Sequence, residues 1–250
     1  MENVIFEEPR VSKAYLRLSV PLVLSMVVTL IYNLADTFFV AQTNDTNIVA
    51  GVSLGAPLFT LLMAVGNIFG QGGSSLISRL LGQKDKAGVR HVSSFCFYVT
   101  IVSGIVIGIF MMLFRVPLLY LIGANDETFA HASDYFVYLA IGAPIIMLSF
   151  IHSNLLRSEG MSKESMAGTI LGAVVNIILD PIFISALKWG AGGAAIATVI
   201  GYLFSDIFFA IIVVKRSNIL SVRPKDIKIS GKNVGQIFGI GIPAAIVNLM

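Results

Sequence analysis

Two aspartates stand inside apolar runs, where a carboxylate is most costly. Asp180 lies in VVNIILDPIFIS (residues 174–185) with Pro181 directly behind it, and Asp36 lies in TLIYNLADTFFV (residues 29–40). If these runs are membrane helices, a central aspartate costs about 2.5–3.5 kcal/mol to insert, so each is a candidate for binding a cation or carrying a proton. At helical spacing Thr169, Gly172, Ala173, Asn176 and Asp180 share one face, and Asn176 sits one turn before Asp180. Pro181 withholds its N–H from the helix and disturbs the carbonyl one turn back, at Ile177. Carboxylate, amide, hydroxyl and carbonyl oxygens together suit a hard cation.

Other runs add polar groups at helical spacing. Thr29, Tyr32, Asn33 and Asp36 fall on one face; Thr198, Tyr202 and Asp206 recur every four residues; Tyr135 and Tyr138 are three apart. An isolated Thr or Tyr is by default a packing or interface residue, so the two central acids carry the functional reading. Asp206, nearer the end of its run, is balanced between function and pairing with a basic residue or water. His91 and His131 read as interfacial, and His152 as a polar packing residue. No nucleophile is placed beside a base and no CxxC or CxxxH spacing occurs, so enzyme, zinc and haem readings have no support and no cofactor is expected.

The elements that must position these groups follow from composition. Hydrophobic residues make up 56% of the 250, charged residues 12%, and mean hydropathy is +0.87. A water-soluble domain of this size could not cover that much apolar surface. A bilayer core of about 30 Å takes roughly 20 apolar residues per helix. Six runs reach that length, near 16–40, 50–78, 92–114, 132–156, 165–187 and 191–214, and a seventh begins near 233. The opening MENVIFEEPR is polar and acidic and the run after it is long, so no cleavable signal peptide is expected. The lone Cys96 makes no intrachain disulfide.

Basic residues sort by loop. Arg10, Lys13 and Arg17 precede the first run. Arg79, Lys84, Lys86 and Arg90 lie around the second loop, Arg157 and Lys163 at the fourth, and Lys215, Arg216, Arg223, Lys225, Lys228 and Lys232 in the sixth. The odd loops hold Arg115 and Lys188, so fifteen basic residues oppose two. The positive-inside rule places the N-terminus and even loops in the cytoplasm of a multi-pass membrane protein. This pattern explains the net charge of +3 without nucleic acid as a partner.

The chain also hints at a repeat. Ser19-Val20-Pro21 and Gly241-Ile242-Pro243 each follow a basic stretch and are expected near the start of an apolar helix. Six helices per half and parallel halves would follow. The expected organisation is a six-helix lobe at 1–214, a cytoplasmic linker at 215–232 and the first helix of a truncated second lobe at 233–250. Gly190, Ala194, Ala197, Gly201 and Ser205 form a small face suited to close helix packing. GQGGSS (residues 70–75) has no Lys-Ser/Thr after it, so a phosphate loop is rejected in favour of tight packing.

NLADTFFV, ISRLLGQKD, YFVYLAIGAP, LLRSEG, NIILDPIFI and GAGGAAIATVIG, in this order, resemble the multidrug and toxic compound extrusion (MATE) transporters, bacterial type, over nearly the entire chain. The resemblance implies an all-α integral membrane protein: one six-helix lobe of a twelve-helix transporter with two pseudo-symmetric halves around a cleft. It implies export of cationic or amphiphilic compounds in exchange for Na+ or H+. It matches Asp36, Asn176, Asp180 and Thr198 to the family's N-lobe cation site and Tyr135 to its fourth-helix tyrosine. Asn33, Tyr138, Tyr202 and Asp206 are secondary candidates, and a monomer in the bilayer is expected. A lipid-linked oligosaccharide flippase of the same superfamily is the first rival, disfavoured by the scarcity of intramembrane Arg and Lys. A membrane-embedded enzyme and a non-transporting fragment are the others.

Overall fold

The computed structural model describes residues 11–217, 219–228 and 230–249. The amino-terminal decapeptide, with Arg10 and the stretch read as lacking a cleavage site, lies outside them. Among the described residues eight α-helices follow one another: α1 (Val11–Ala41), α2 (Thr46–Gly82), α3 (Lys86–Leu113), α4 (Arg115–Leu121), α5 (Phe129–Ser158), α6 (Ser162–Asp180), α7 (Gly190–Arg216) and α8 (Gly231–Leu249). Among the described residues 6 helices are long and apolar enough to cross a membrane, and they coincide with the six apolar runs.

The helices overrun the apolar runs because their ends are capped by polar residues beyond them. Asp45 accepts from the N–H of Asn47 at the start of α2, and Asp85 from that of Gly88 at the start of α3, each at 2.9 Å. Tight turns reverse the chain between helices through left-handed residues: Asn44, Lys84, Gly160 and Lys188 have φ of 53°, 59°, 85° and 56°. The short helix α4, in the loop between α3 and α5, has too few residues to leave a periodic signal in the sequence.

The prolines correct one expectation. Pro21 and Pro243 lie in the interiors of α1 and α8, ten residues after Val11 and twelve after Gly231, and not in first turns. Polar residues before each proline continue the helix outward, so the run's apolar boundary is not its helical boundary. In lipid the rung lost at a proline is tolerated because other groups can supply partners.

Helix α5 is the buried axis of the lobe. Its Phe136, Leu139, Ala143, Ile146, Met147, Ile151 and Leu156 are fully enclosed by α2, α3 and α7. Close approach needs the glycines: Gly66 lies on Met147 and Gly104 on Pro144. The GQGGSS stretch is continuous helix. Gly70 meets Asn154, Gly72 the Ile237 carbonyl of α8, and Gly73 Cys96, as tight packing predicts. Helix α1 is peripheral and packs mainly on α6. Its Leu16, Val23, Leu30, Leu34 and Phe38 are exposed, as lipid-facing residues would be.

The stretch joining α7 to α8 is pinned. Ser94 Oγ and Tyr98 Oη of α3 donate to the carbonyls of Arg223 and Val222 at 2.5 and 3.0 Å. The Ser221 N–H donates to Ser93 Oγ at 2.9 Å. Residues 221–223 therefore belong to the lobe surface.

Candidate cation site

The site begins where α6 stops being an α-helix. After Asp180, Pro181–Ala186 form a π-helical turn, with the Leu187 N–H donating to the Ile182 carbonyl at 2.8 Å. A proline that cannot donate makes the widened turn the natural continuation, and such turns recur at functional sites. Asp180, at the junction, is 0% exposed.

Helix α7 presses against this segment through small residues. Gly193 rests on the backbone of Phe183 and Ile184, and Gly201 faces Gly172 and Asn176. That contact brings Thr198 to Asn176. The Asn176 amide donates to Asp180 Oδ1 at 3.2 Å and to Thr198 Oγ1 at 3.5 Å. The small face of Gly190, Ala194, Ala197, Gly201 and Ser205 packs as its spacing implies. Gly190 itself serves the turn, with φ of 53°.

Helix α1 supplies the second acid. The charge of Asp36 is felt by Asp180 on α6 and by Tyr135 on α5. Tyr32, one turn before Asp36, interacts with the Thr198 side chain and with Tyr202. Tyr135 is buried, and its ring fills the space left by Gly55 of α2. Asp36, Asn176, Asp180, Thr198 and Tyr135, predicted from four different runs, thus meet in one place.

Three acceptor oxygens in this cluster are enclosed and unpartnered: Asp36 Oδ1, Asn176 Oδ1 and Asp180 Oδ2. Buried polar atoms are ordinarily satisfied, and three such acceptors in one cluster could take up a donor or a cation. Two carboxylates in a dry interior repel each other, and a bound cation or proton relieves that repulsion. The oxygens are hard donors, of the kind that suit a hard cation.

The secondary candidates divide. Asn33 points outward and is exposed. Tyr138 is 40% exposed, with its ring against Gly192, and stands apart from the cluster. Tyr202 packs its ring against Phe59 and Phe150 and adjoins the cluster through Tyr32. Asp206 belongs to a separate pair with His152, Nδ1 to Oδ1 at 3.2 Å. Tyr32 was legible on the Asp36 face, although nothing in its spacing distinguished it from Asn33. Gly55 carried no sequence signal beyond being small.

The described helices thus form a six-helix membrane lobe with an acidic cluster beside a broken helix. The sequence profile of the MatE family matches residues 21–182. The multidrug export protein MepA of Staphylococcus aureus (strain NCTC 8325 / PS 47) is 34% identical over 245 residues, covering 98% of this chain and 54% of the relative. MepA of Staphylococcus haemolyticus (strain JCSC1435) is 34% identical over 239 residues, covering 96% and 53%. Among solved structures, an outward-facing multidrug resistance MATE transporter of the MOP superfamily superposes with a TM-score of 0.87 at 33% identity, covering 94% of this chain and 52% of that one. A MOP superfamily transporter from Pyrococcus furiosus superposes with 0.87 at 31% identity over the same shares. The chain belongs to the MATE family and corresponds to one six-helix lobe with the helix that follows it. It spans about half the length of the curated relatives it matches.

Proposed function

We propose that this chain is the N-terminal lobe of a secondary antiporter that exports cationic or amphiphilic compounds in exchange for Na+ or H+. The carrying observation is the trio of enclosed, unpartnered oxygens on Asp36, Asn176 and Asp180. In this reading Asp36 and Asp180 supply charge to the coupling cation, Asn176 and Thr198 supply neutral oxygens, and Tyr135 lines the site. A cation, or a proton on one acid, neutralises the cluster and lets α1 close onto α6. With the cluster empty, two like charges drive α1 away. Because α1 packs mainly on α6, its position is the part of the lobe most easily changed.

Substrate meets the lobe in a cleft shared with a second lobe, reached through α8, and the two halves rock to alternate access. The basic ends of the lobe face the cytoplasm of an inner-membrane protein. The division into a lobe at 1–214, a linker at 215–232 and a second-lobe helix from 233 completes this organisation. The pinned residues 221–223 move with the first lobe, which puts the joint after them. Relatives named as multidrug export proteins support the substrate class.

Cation and substrate are then mutually antagonistic, since a coupling free energy acts in both directions. Drug affinity of the purified transporter, titrated with sodium and separately with acid, tests this. Affinity falling with either ion is expected; affinity indifferent to both overturns the competition.

A further inference from the structure

A second buried ionisable pair lies outside the cation site. His152 of α5 and Asp206 of α7 are 2% and 7% exposed and meet through Nδ1 and Oδ1 at 3.2 Å. The imidazole is flanked by the rings of Phe97 and Phe209, with centroids 5.5 and 6.2 Å away. Beyond their mutual contact, His152 Nε2 and Asp206 Oδ2 are both enclosed and have no partner. We propose that this pair is a proton-binding site, distinct from the cation site, that holds one proton at neutral pH.

Charge decides the matter. A neutral imidazole that donates Nδ1–H to an ionised carboxylate leaves one net negative charge among aromatic rings in the middle of a bundle. It also leaves two bare acceptors. Burying an uncompensated charge is costly even after relaxation, so the pair is stable when it carries one further proton. The proton binds at the bare Nε2, or at the carboxylate with the imidazole as acceptor, and in either case the pair becomes neutral.

Among the described residues His152 is the charge partner that bears on Asp206. On α7, Tyr202 interacts with Asp206 and is uncharged when protonated. On α5, the Arg157 guanidinium is engaged by Ser153 and by Ser165 of α6. Helix α3 presents Phe97, and α6 presents Gly168 under the Phe209 ring.

The location gives the proton a use. Thr198, Tyr202 and Asp206 follow at four-residue steps on α7, so Asp206 lies about 12 Å along the helix from the cation site. Tyr202 interacts with Tyr32 above and Asp206 below, which joins the two charged clusters by one polar line. The proton would couple to the cation site if a change of charge at Asp206 were relayed along this line. That coupling role rests on the cation-site reading, whereas the bound proton does not.

The test is nitrogen NMR of the intact protein in nanodiscs, with 15N-labelled histidine. The sequence has 3 histidines, and His91→Gln and His131→Gln assign the remaining signal to His152. Infrared spectroscopy of the same sample reports a protonated Asp206 carboxyl as a band lost in Asp206→Asn. At pH 7.5 the pair should give either an imidazolium with both nitrogens protonated, or a neutral imidazole with the carboxyl band. Either result establishes the proton. A neutral imidazole beside an ionised Asp206 overturns the proposal. In Asp206→Asn, an imidazolium should revert to neutral imidazole at the same pH; should that variant not fold, the wild-type spectra alone decide. Drug binding that ignores sodium and acid would sink the antiport reading and leave this result untouched.

Discussion

The Asn176 side chain donates to Asp180 Oδ1 one turn along α6, at 3.2 Å, and to Thr198 Oγ1 across the interface with α7, at 3.5 Å. Both hydrogens of the amide are thereby used. Asp36 Oδ1, Asn176 Oδ1 and Asp180 Oδ2 are left without a donor, and acceptors of this kind are completed by a proton donor or a cation. The placement of one amide thus turns a polar helix crossing into a candidate ion site, and it depends on how closely α6 and α7 approach.

That approach is set by glycine. A Cβ on Gly201 would stand 2.7 Å from the Gly172 carbonyl oxygen and 3.1 Å from Asn176 Cβ. Gly201→Val should therefore separate the helices and cost about 1–3 kcal/mol of stability. Thermal unfolding in detergent checks it, with Gly235→Val as control, since nothing lies within 4 Å of that position. Equal stability of the two variants would contradict the packing argument.

Tyr135 depends on Gly55 in the same way. Its ring occupies the space a Cβ at residue 55 would need. Gly55→Ala should lower stability by about 1–3 kcal/mol through overpacking. Adding Tyr135→Ala should relieve the clash, so the two changes should be non-additive in a thermal-shift double-mutant cycle. Additive losses would separate the two residues.

The connection between α7 and α8 should behave as part of the lobe. Removing a hydroxyl that holds it, by Tyr98→Phe or Ser94→Ala, should cost about 0.5–1.5 kcal/mol locally. Hydrogen exchange at residues 220–223 should speed up accordingly, with little change in α5. Wild-type exchange already as fast as an open chain would refute the docking.

Orientation can be tested with single cysteines in a Cys96→Ser background. A cysteine at Lys84 should react with impermeant maleimide from the cytoplasmic side, and one at Asn44 or Lys188 from the outside. Labelling of position 84 from outside would reverse the topology.

Much of this architecture was legible beforehand, for identifiable reasons. Lipid demands long uninterrupted apolar helices, so their number and approximate limits could be read directly. Asp36 and Asp180 stood out because charge is rare at that depth. Their convergence with Thr198 and Tyr135 came through resemblance, because spacing within one helix says nothing about which faces meet. Helix ends were misjudged at Pro21 and Pro243, where polar residues carry the helix past the apolar run. Tyr138 and Asn33 shared helices with true members of the cluster but pointed elsewhere. The His152–Asp206 pair was invisible as a pair, since its members lie 54 residues apart on helices whose register only the fold sets.

The most direct measurement of the central claim is gradient-driven drug export by the whole transporter in proteoliposomes, comparing wild type with Asp36→Asn and Asp180→Asn. Each substitution keeps the side chain's size and removes the charge that would hold the cation. The prediction is export reduced to background in both, with no residual response to an imposed sodium or proton gradient and with folding intact by thermal shift. Full export by both variants, still driven by the gradient, would contradict the assignment of the coupling site to this lobe.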